Sequence, residues 1–423
     1  MAMKKGYKQT EIGVIPKDWE TRKLVDCVRS DSPICYGILM PGEHIQNGVP
    51  VIKVRDITDG RIAEDQLLLT HPKIDAAYSR SRLLAGDLLI TIRGTTGRVA
   101  IVPSSLSNSN ITQDTARIRT KTNARVSFLF FILQCPTVQK QIALHTVGQA
   151  VKGINIRDVK RIEFPLPPTL TEQEAIAGAL SDADAWIESL EQLIAKKRRI
   201  KQGAMQELLT GKRRLPGFSG KWETKRLGDH CQFLRNGTNS RAELTVEGSL
   251  KYLHYGDIHS CNGVYICPKS LPSLPTPKAN TLDRLQDGDL VLADASEDTI
   301  GISKSVEIVD TDGFELVAGL HTIAVRFSEG IFAPRFAGYL QHCPDFNSHL
   351  RKLAAGTKVY ATNRRHVSSA EVIIPRINEQ TAIATVLSDM DTEIESLESK
   401  LAKAREVKQG MMQELLTGRI RLV

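Results

Sequence analysis

The chain contains no CxxC pair, no run of 18 apolar residues and none of the short motifs that mark nucleotide or metal chemistry. Its seven cysteines are odd in number and scattered, as in a reduced protein and unlike a disulfide scaffold. Without a long apolar run no membrane span is expected. The opening MAMKKGYKQTEIGVIP lacks the apolar core of a signal peptide, so a cytoplasmic location is expected. There is no Asn/Asp-Pro-Pro-Tyr/Phe of an amino-methyltransferase, no Gly-x-Gly-x-x-Gly after a strand and no zincin helix. The densest ligand-like cluster, His254, His259, Cys261 and Cys267, matches no familiar zinc spacing. Paired acids such as Asp56 with Asp59, or Asp294 with Asp298, have no companion that would mark a nuclease centre. A self-sufficient nuclease or methyltransferase is therefore disfavoured, and no metal or cofactor is expected in the chain.

What the chain does contain is itself, twice. The 45 residues 171–215 recur as 378–422 with 29 identities at a constant offset of 207. Fainter copies support the duplication: Trp19-Glu20-Thr21 reappears as Trp222-Glu223-Thr224, Gly86-Asp87-Leu88 as Gly288-Asp289-Leu290, and Cys135-Pro136 as Cys343-Pro344. Such a period is too long for a solenoid unit of roughly 20 to 50 residues, so each copy is read as a domain plus a connector. With 423 residues the length agrees with two to three domains. The connectors are alike while the domains diverge, which suggests two readers on a common mount. The formal charge of +8 suits a polyanion partner but does not by itself identify one.

In the first connector Ile176, Leu180, Ala183, Ile187, Leu190 and Ile194 alternate steps of four and three, and the register continues through Lys197, Lys201, Ala204 and Leu208. That is a heptad seam with a polar gap. The second repeats it from Ile383 to Leu415 in the same phase. Pro168 or Pro375 lies just upstream, and Gly211 or Gly418 supplies a terminating glycine. About 38 residues at roughly 1.5 Å each make a rod of about 57 Å. A narrow apolar stripe needs a covering helix, and the comparable helix is the other copy. Chain connectivity makes the pair antiparallel, so the molecule imitates a symmetric homodimer with an internal pseudo-twofold axis. The expected fold is mixed α+β, with recognition domains at 1–168 and 214–375 and conserved helices at 169–213 and 376–423. KQGxMQELLTG is kept in both copies beyond what a two-helix seam needs. A second partner is therefore expected on the outer faces, at Gln173, Gln206 and Glu207 and at Gln380, Gln413 and Glu414.

The variable domains show short β-rich runs at 50–54, 87–92, 115–119, 289–292 and 321–327. A helix is expected at 127–134, with a counterpart near 335–342. Their loops are polar and basic, and Arg, Lys, Asn and Thr are side chains that contact phosphates and base edges. The candidates are Arg93, Thr95, Arg98, Lys152, Asn155 and Arg157 in the first half. In the second they are Lys358, Thr362, Asn363, Arg364 and Arg365, with His254 and Asp257 as further base contacts. Gly94 to Gly97 reads equally as an ordinary β-turn, and it lacks the Lys-Ser/Thr of a P-loop.

The order is now EIGVIPKDWE at 11–20, a variable domain, PLPPTLTEQ at 165–173, and a long helix ending LLTGKRRLPGF at 208–218, followed by a second Trp-Glu, variable domain and Glu-Gln helix. Over its whole length this resembles the DNA-specificity (S) subunit of Type I restriction-modification systems. The resemblance implies a non-catalytic subunit whose two target-recognition domains each read one half of an asymmetric, bipartite sequence in double-stranded DNA. It also implies two methyltransferase (M) subunits, which hold S-adenosylmethionine, and restriction (R) subunits, which use ATP and Mg. A rod of about 57 Å spans about one and a half duplex turns of roughly 34 to 36 Å each. The competing reading is a coiled-coil protein-interaction scaffold with no DNA sequence selectivity.

Overall fold

The computed structural model describes residues 6–149, 151–246, 248–274, 281–299, 301–356 and 359–422. Contacts divide the chain into two compact units, residues 1–190 with 400–423 and residues 191–399. The first is discontinuous in sequence and the second continuous, because each repeat's connector helix begins in one unit and ends in the other.

The first unit is built on the strand Leu88–Thr91, in which all four residues are buried. Leu88 and Ile90 enter the core that holds Trp19, Phe128 and Phe164. Leu89 points to the opposite face, against Ile52, Ala100 and Ile111. This is the period-two alternation of a strand covered on both sides. Val99–Ile101 and Thr115–Ile118 flank it antiparallel, and Cys35–Tyr36 completes a four-stranded sheet. The helix Val126–Gln134 packs beneath. Glu20–Lys23 pairs antiparallel with Glu163–Leu166, which brings the Trp-Glu motif to the root of the first connector.

The second unit repeats the plan on Leu290–Ala293, again fully buried, at the centre of a five-stranded sheet. Leu290 and Leu292 enter one core, and Val291 and Ala293 the other. Glu223–Arg226 pairs with Glu371–Ile374 as the counterpart of the first unit's root. The segment expected to be a helix near 335–342 is instead a 3-10 helix at Ala337–His342. The buried Glu307 carboxylate, accepting from the N–H groups of Arg335 and Gly338, holds the entry to that turn.

The Gly-Asp-Leu copies have a structural explanation. Gly86 and Gly288 take φ of +85° and +88°, the region glycine enters without penalty. The aspartates that follow are buried and each meets an arginine two-handedly: Asp87 with Arg119 at 2.8 and 2.6 Å, Asp289 with Arg326 at 2.8 and 2.7 Å.

The connectors are helices Leu170–Leu208 and Ile377–Leu415, 39 residues each. Within each unit they run antiparallel. In the first, Ile176 and Leu180 share a core with Leu415 and Leu416. In the second, Leu208 and Leu209 share one with Ile383 and Leu387. The polar gap in the seam is closed by ion pairs. Lys201 meets Asp391, and Lys197 meets Glu393 at 2.6 Å, in the second unit. Lys408 meets Asp184 at 2.5 Å in the first. Lys201–Asp391 and Lys408–Asp184 are one pair with the repeats exchanged, since both residues shift by the offset of 207.

Candidate nucleic-acid interface

The repeated motifs assemble a clamp at the root of each unit. In the first, Arg421 pairs with buried Glu172 and with Asp18, and lies 5.7 Å over the Trp19 ring. In the second, Arg214 pairs with buried Glu379 and lies 5.6 Å over Trp222. Gly211 and Gly418, at φ of +67° and +68°, end the helices against these same tryptophans. Each clamp takes its tryptophan and glutamate from one repeat and its arginine from the other.

The same geometry corrects part of the partner assignment. Gln173 and Gln380, expected on an outer face, are each only 1% exposed. Gln173 accepts from Arg125 N–H at 2.9 Å and donates to the carbonyls of Pro167 and Asn123. Gln380 accepts from Ala333 N–H at 2.9 Å and donates to Pro375 and Ile331. A buried primary amide stitches two loops because it can donate and accept at once. Gln206, Glu207 and Gln413 are exposed and Glu414 is half-buried, with Glu207 and Glu414 held by Arg213 and Arg419 of the same helix ends.

In the first unit, the Leu88–Thr91 strand, the turn before Thr115 and the loop at 147–153 converge. Arg93 and Gly153 form an isolated bridge, and Gly94 N–H donates to the Lys152 carbonyl at 2.9 Å. Arg93, Thr95, Lys152, Asn155 and Arg157 are all exposed in this region. Arg93 makes one 3.3 Å hydrogen bond to Gln113, and Arg157 lies beside Asp158. Arg98 differs from them: its guanidinium donates to the carbonyls of Ile57 and Val54, at 2.8 and 3.4 Å, and so fastens the loop at 54–57.

In the second unit Lys358 lies outside the described residues. Thr362 is buried and its N–H donates to the Asp294 carbonyl at 2.8 Å. Asn363 caps the short helix Arg364–Ser368 by accepting from His366 N–H at 3.1 Å. Arg364 donates to the Leu234 carbonyl and to Asn236, and covers Phe233. Arg365 is exposed, with no polar side-chain partner among the described residues. His254 and Asp257 are tied into the start of a helical turn. His254 Nδ1 accepts from Gly256 N–H at 3.2 Å, and Asp257 accepts from His254 N–H at 3.0 Å while pairing with Arg241. Burial holds the His254 imidazole below its usual pKa. Its ring is therefore committed to the turn and does not project from the surface.

Of the other residues in the ligand-like cluster, the His259 ring contacts the Ala295 carbonyl and Cys261 contacts that of Tyr265. Among the described residues no three His, Cys, Asp or Glu side chains converge as a metal site, and no helix is long and apolar enough to cross a membrane. The clamps were missed by reading loops alone, although the repeated Glu-Gln and the arginine after LLTG signalled them.

Comparison with known proteins places this architecture. The family described as the Type I restriction modification DNA specificity domain matches residues 16–198. The Type I restriction enzyme EcoBI specificity subunit of Escherichia coli is 33% identical over 43% of this chain and 38% of its own length, so the match spans well under half of that relative. The putative type I restriction enzyme MjaX specificity subunit of Methanocaldococcus jannaschii is 25% identical over 98% of this chain and 97% of its own. Among solved structures, the Type I restriction-modification S subunit from M. genitalium superposes with a TM-score of 0.57 at 14% identity, covering 94% of this chain and 96% of that one. A chain from a study of assembly and conformational transition in the type I R-M system gives 0.57 at 17% identity, covering 96% and 99%. Residues 16–198 thus match the Type I restriction modification DNA specificity domain, and over nearly its whole length the chain is similar to specificity subunits of Type I restriction enzymes.

Proposed function

We propose that the chain is the DNA-reading subunit of a Type I complex, each unit recognising one half of a bipartite, asymmetric duplex target. The observation that carries this reading is the contrast between identical mounts and divergent loops: both units keep the Trp-Arg-Glu clamp, while the exposed residues around Arg93 and Asp294 differ. Catalysis then belongs to partners in the cytoplasm. Methyltransferase subunits holding S-adenosylmethionine would modify adenine, and restriction subunits using ATP and Mg would cleave.

The helices supply support for docked partners. Gly203 and Gly410 stand at equivalent positions on exposed helix faces, and a Cβ at either would meet nothing within 4 Å. Glycine within a helix costs about 1 kcal/mol relative to alanine, and nothing among the described residues requires it. Close approach by a partner's backbone supplies the reason. The recurrence fits two copies of one partner, namely the methyltransferase, beside Gln206 and Gln413. Replacing Gly203 and Gly410 by leucine should then weaken assembly with that subunit while the chain's own melting temperature holds or rises.

The deciding experiment is co-expression with the cognate methyltransferase subunit and mapping of N6-methyladenine across the host genome. A bipartite motif that depends on this chain supports the reading. A stable complex with no chain-dependent motif favours the scaffold.

A further inference from the structure

Both units build one backbone frame from three segments distant in sequence. In the first unit Ile154 N–H donates to the Ile92 carbonyl at 2.9 Å, and the Asp114 carbonyl accepts from Ile92 and Arg93 at 2.8 and 3.2 Å. Val147 and Gly153 exchange two hydrogen bonds of 2.8 Å that pinch the loop between them. In the second unit the bonds recur. Thr362 N–H donates to the Asp294 carbonyl at 2.8 Å, Asp294 N–H to the His321 carbonyl at 3.1 Å, and Ala355 and Ala361 exchange bonds of 3.4 and 3.0 Å. Both pinched loops turn on a glycine that nothing else can replace. Gly148 and Gly356 have φ of +116° and +140°, and a Cβ would fall 2.2 and 1.9 Å from the carbonyl oxygens of Val151 and Val359.

The polar side chains on this frame differ except at Asn155 and Asn363, and of these two Asn363 is taken up in capping its helix. In the first unit they are Arg93, Gln113 and Asn155, lining an open cavity of about 680 Å³ with Val151 at its rim. The Asn155 side chain has no hydrogen-bond partner among the described residues, and Arg93 has only the long bond to Gln113. In the second unit the frame positions of Ile92 and Asp114 are held by Asp294 and His321, whose side chains lie 3.1 Å apart. His321 takes φ of +57°, a region sparsely used by residues other than glycine and one where strain collects at functional sites. Val151 and Val359 are 66% and 54% exposed. A rigid backbone that presents exposed polar ends with spare hydrogen-bonding capacity beside an exposed apolar side chain matches what groove floors require, since base edges offer donors, acceptors and thymine methyls.

We propose that this frame is the base-reading surface of each unit, with Arg93, Gln113 and Asn155 determining specificity in the first and Asp294 with His321 in the second. Val151 and Val359 supply the apolar contacts. The inference rests on the DNA-recognition reading above and extends it to residues and base chemistry. Arginine suits guanine O6 and N7, and an amide suits adenine N6 and N7, so the first unit selects purine edges. A carboxylate accepts from an exocyclic amine, so Asp294 selects cytosine N4.

The test uses the full chain assembled with its methyltransferase subunit and a library of duplexes with a randomised core. Wild type should select a bipartite motif. Asp294→Asn should relax or change one position of one half, lowering discrimination there about tenfold or more. Arg93→Ala with Gln113→Ala should do the same in the other half alone. His321→Asn, which tolerates positive φ, serves as a second variant in case the first perturbs folding, and Glu297→Gln on the neighbouring loop should leave both halves intact. Variants that assemble and melt as wild type yet select the wild-type motif with equal stringency would overturn the assignment, as would both sets acting on the same half. A wild-type complex that selects no motif would overturn the DNA-recognition reading itself.

Discussion

Replacing Arg421 by methionine tests the clamp most directly, because it removes the cation that meets both oxygens of a carboxylate almost wholly out of water. Glu172 is 1% exposed, and Arg421 also holds Asp18 and covers Trp19. Removing one member of a buried pair costs about 3 to 5 kcal/mol, because the other charge stays buried and unpaired. A third of the Arg421 side chain is exposed, so water recovers part of this, and about 2 to 3 kcal/mol is expected. For a unit of this size that corresponds to a fall in melting temperature of about 5 to 10 °C. Calorimetry reads the fall. Amide exchange should locate it in Glu20–Lys23 and Glu163–Leu166, which the clamp abuts, and leave Glu223–Arg226 and Glu371–Ile374 protected. Adding Glu172→Gln should restore stability to within about 1 kcal/mol, since a neutral pair carries no desolvation debt. An Arg421→Met chain that melts like wild type, or a double variant worse than the sum of its parts, would refute the reasoning.

Arg98→Ala should cost about 1 to 2 kcal/mol of stability through the freed carbonyls of Val54 and Ile57, read by denaturant unfolding; Arg93→Ala should leave stability within about 0.5 kcal/mol. Arg365→Ala should weaken DNA binding by the assembled complex and reduce its salt slope by about one. In Arg364→Ala with Arg365→Ala, the loss of the Leu234 and Asn236 contacts should add instability, and an unchanged slope would remove this loop from the interface. Burial raises the Glu307 carboxyl to about 7 despite its two backbone donors. A raised acid contributes stability that is complete below its unfolded pKa and is lost as pH rises through about 7. Relative to Glu307→Gln, wild type should thus be more stable at pH 5 than at pH 8, by about 3 kcal/mol at most; a flat difference between the two melting curves across that range would contradict the raised value.

The sequence by itself determined the duplication, the two long helices and their antiparallel pairing, because heptad spacing and a constant offset are properties of order along the chain. It also located Leu88–Thr91 and Leu290–Ala293, since a short apolar run after Gly-Asp has few alternatives to a buried strand. It did not separate Arg93, which faces outward, from Arg98, which turns inward to two carbonyls. Both are arginines in one glycine-flanked loop, and direction is set by what packs beneath. Nor did it show that Gln173 and Gln380 are buried stitches, because their backbone partners lie up to 50 residues away. The tertiary structure alone decided that each clamp joins a tryptophan and glutamate of one repeat to the arginine of the other. Two antiparallel copies bring the end of each helix to the start of its partner, and no reading along a single repeat contains that contact.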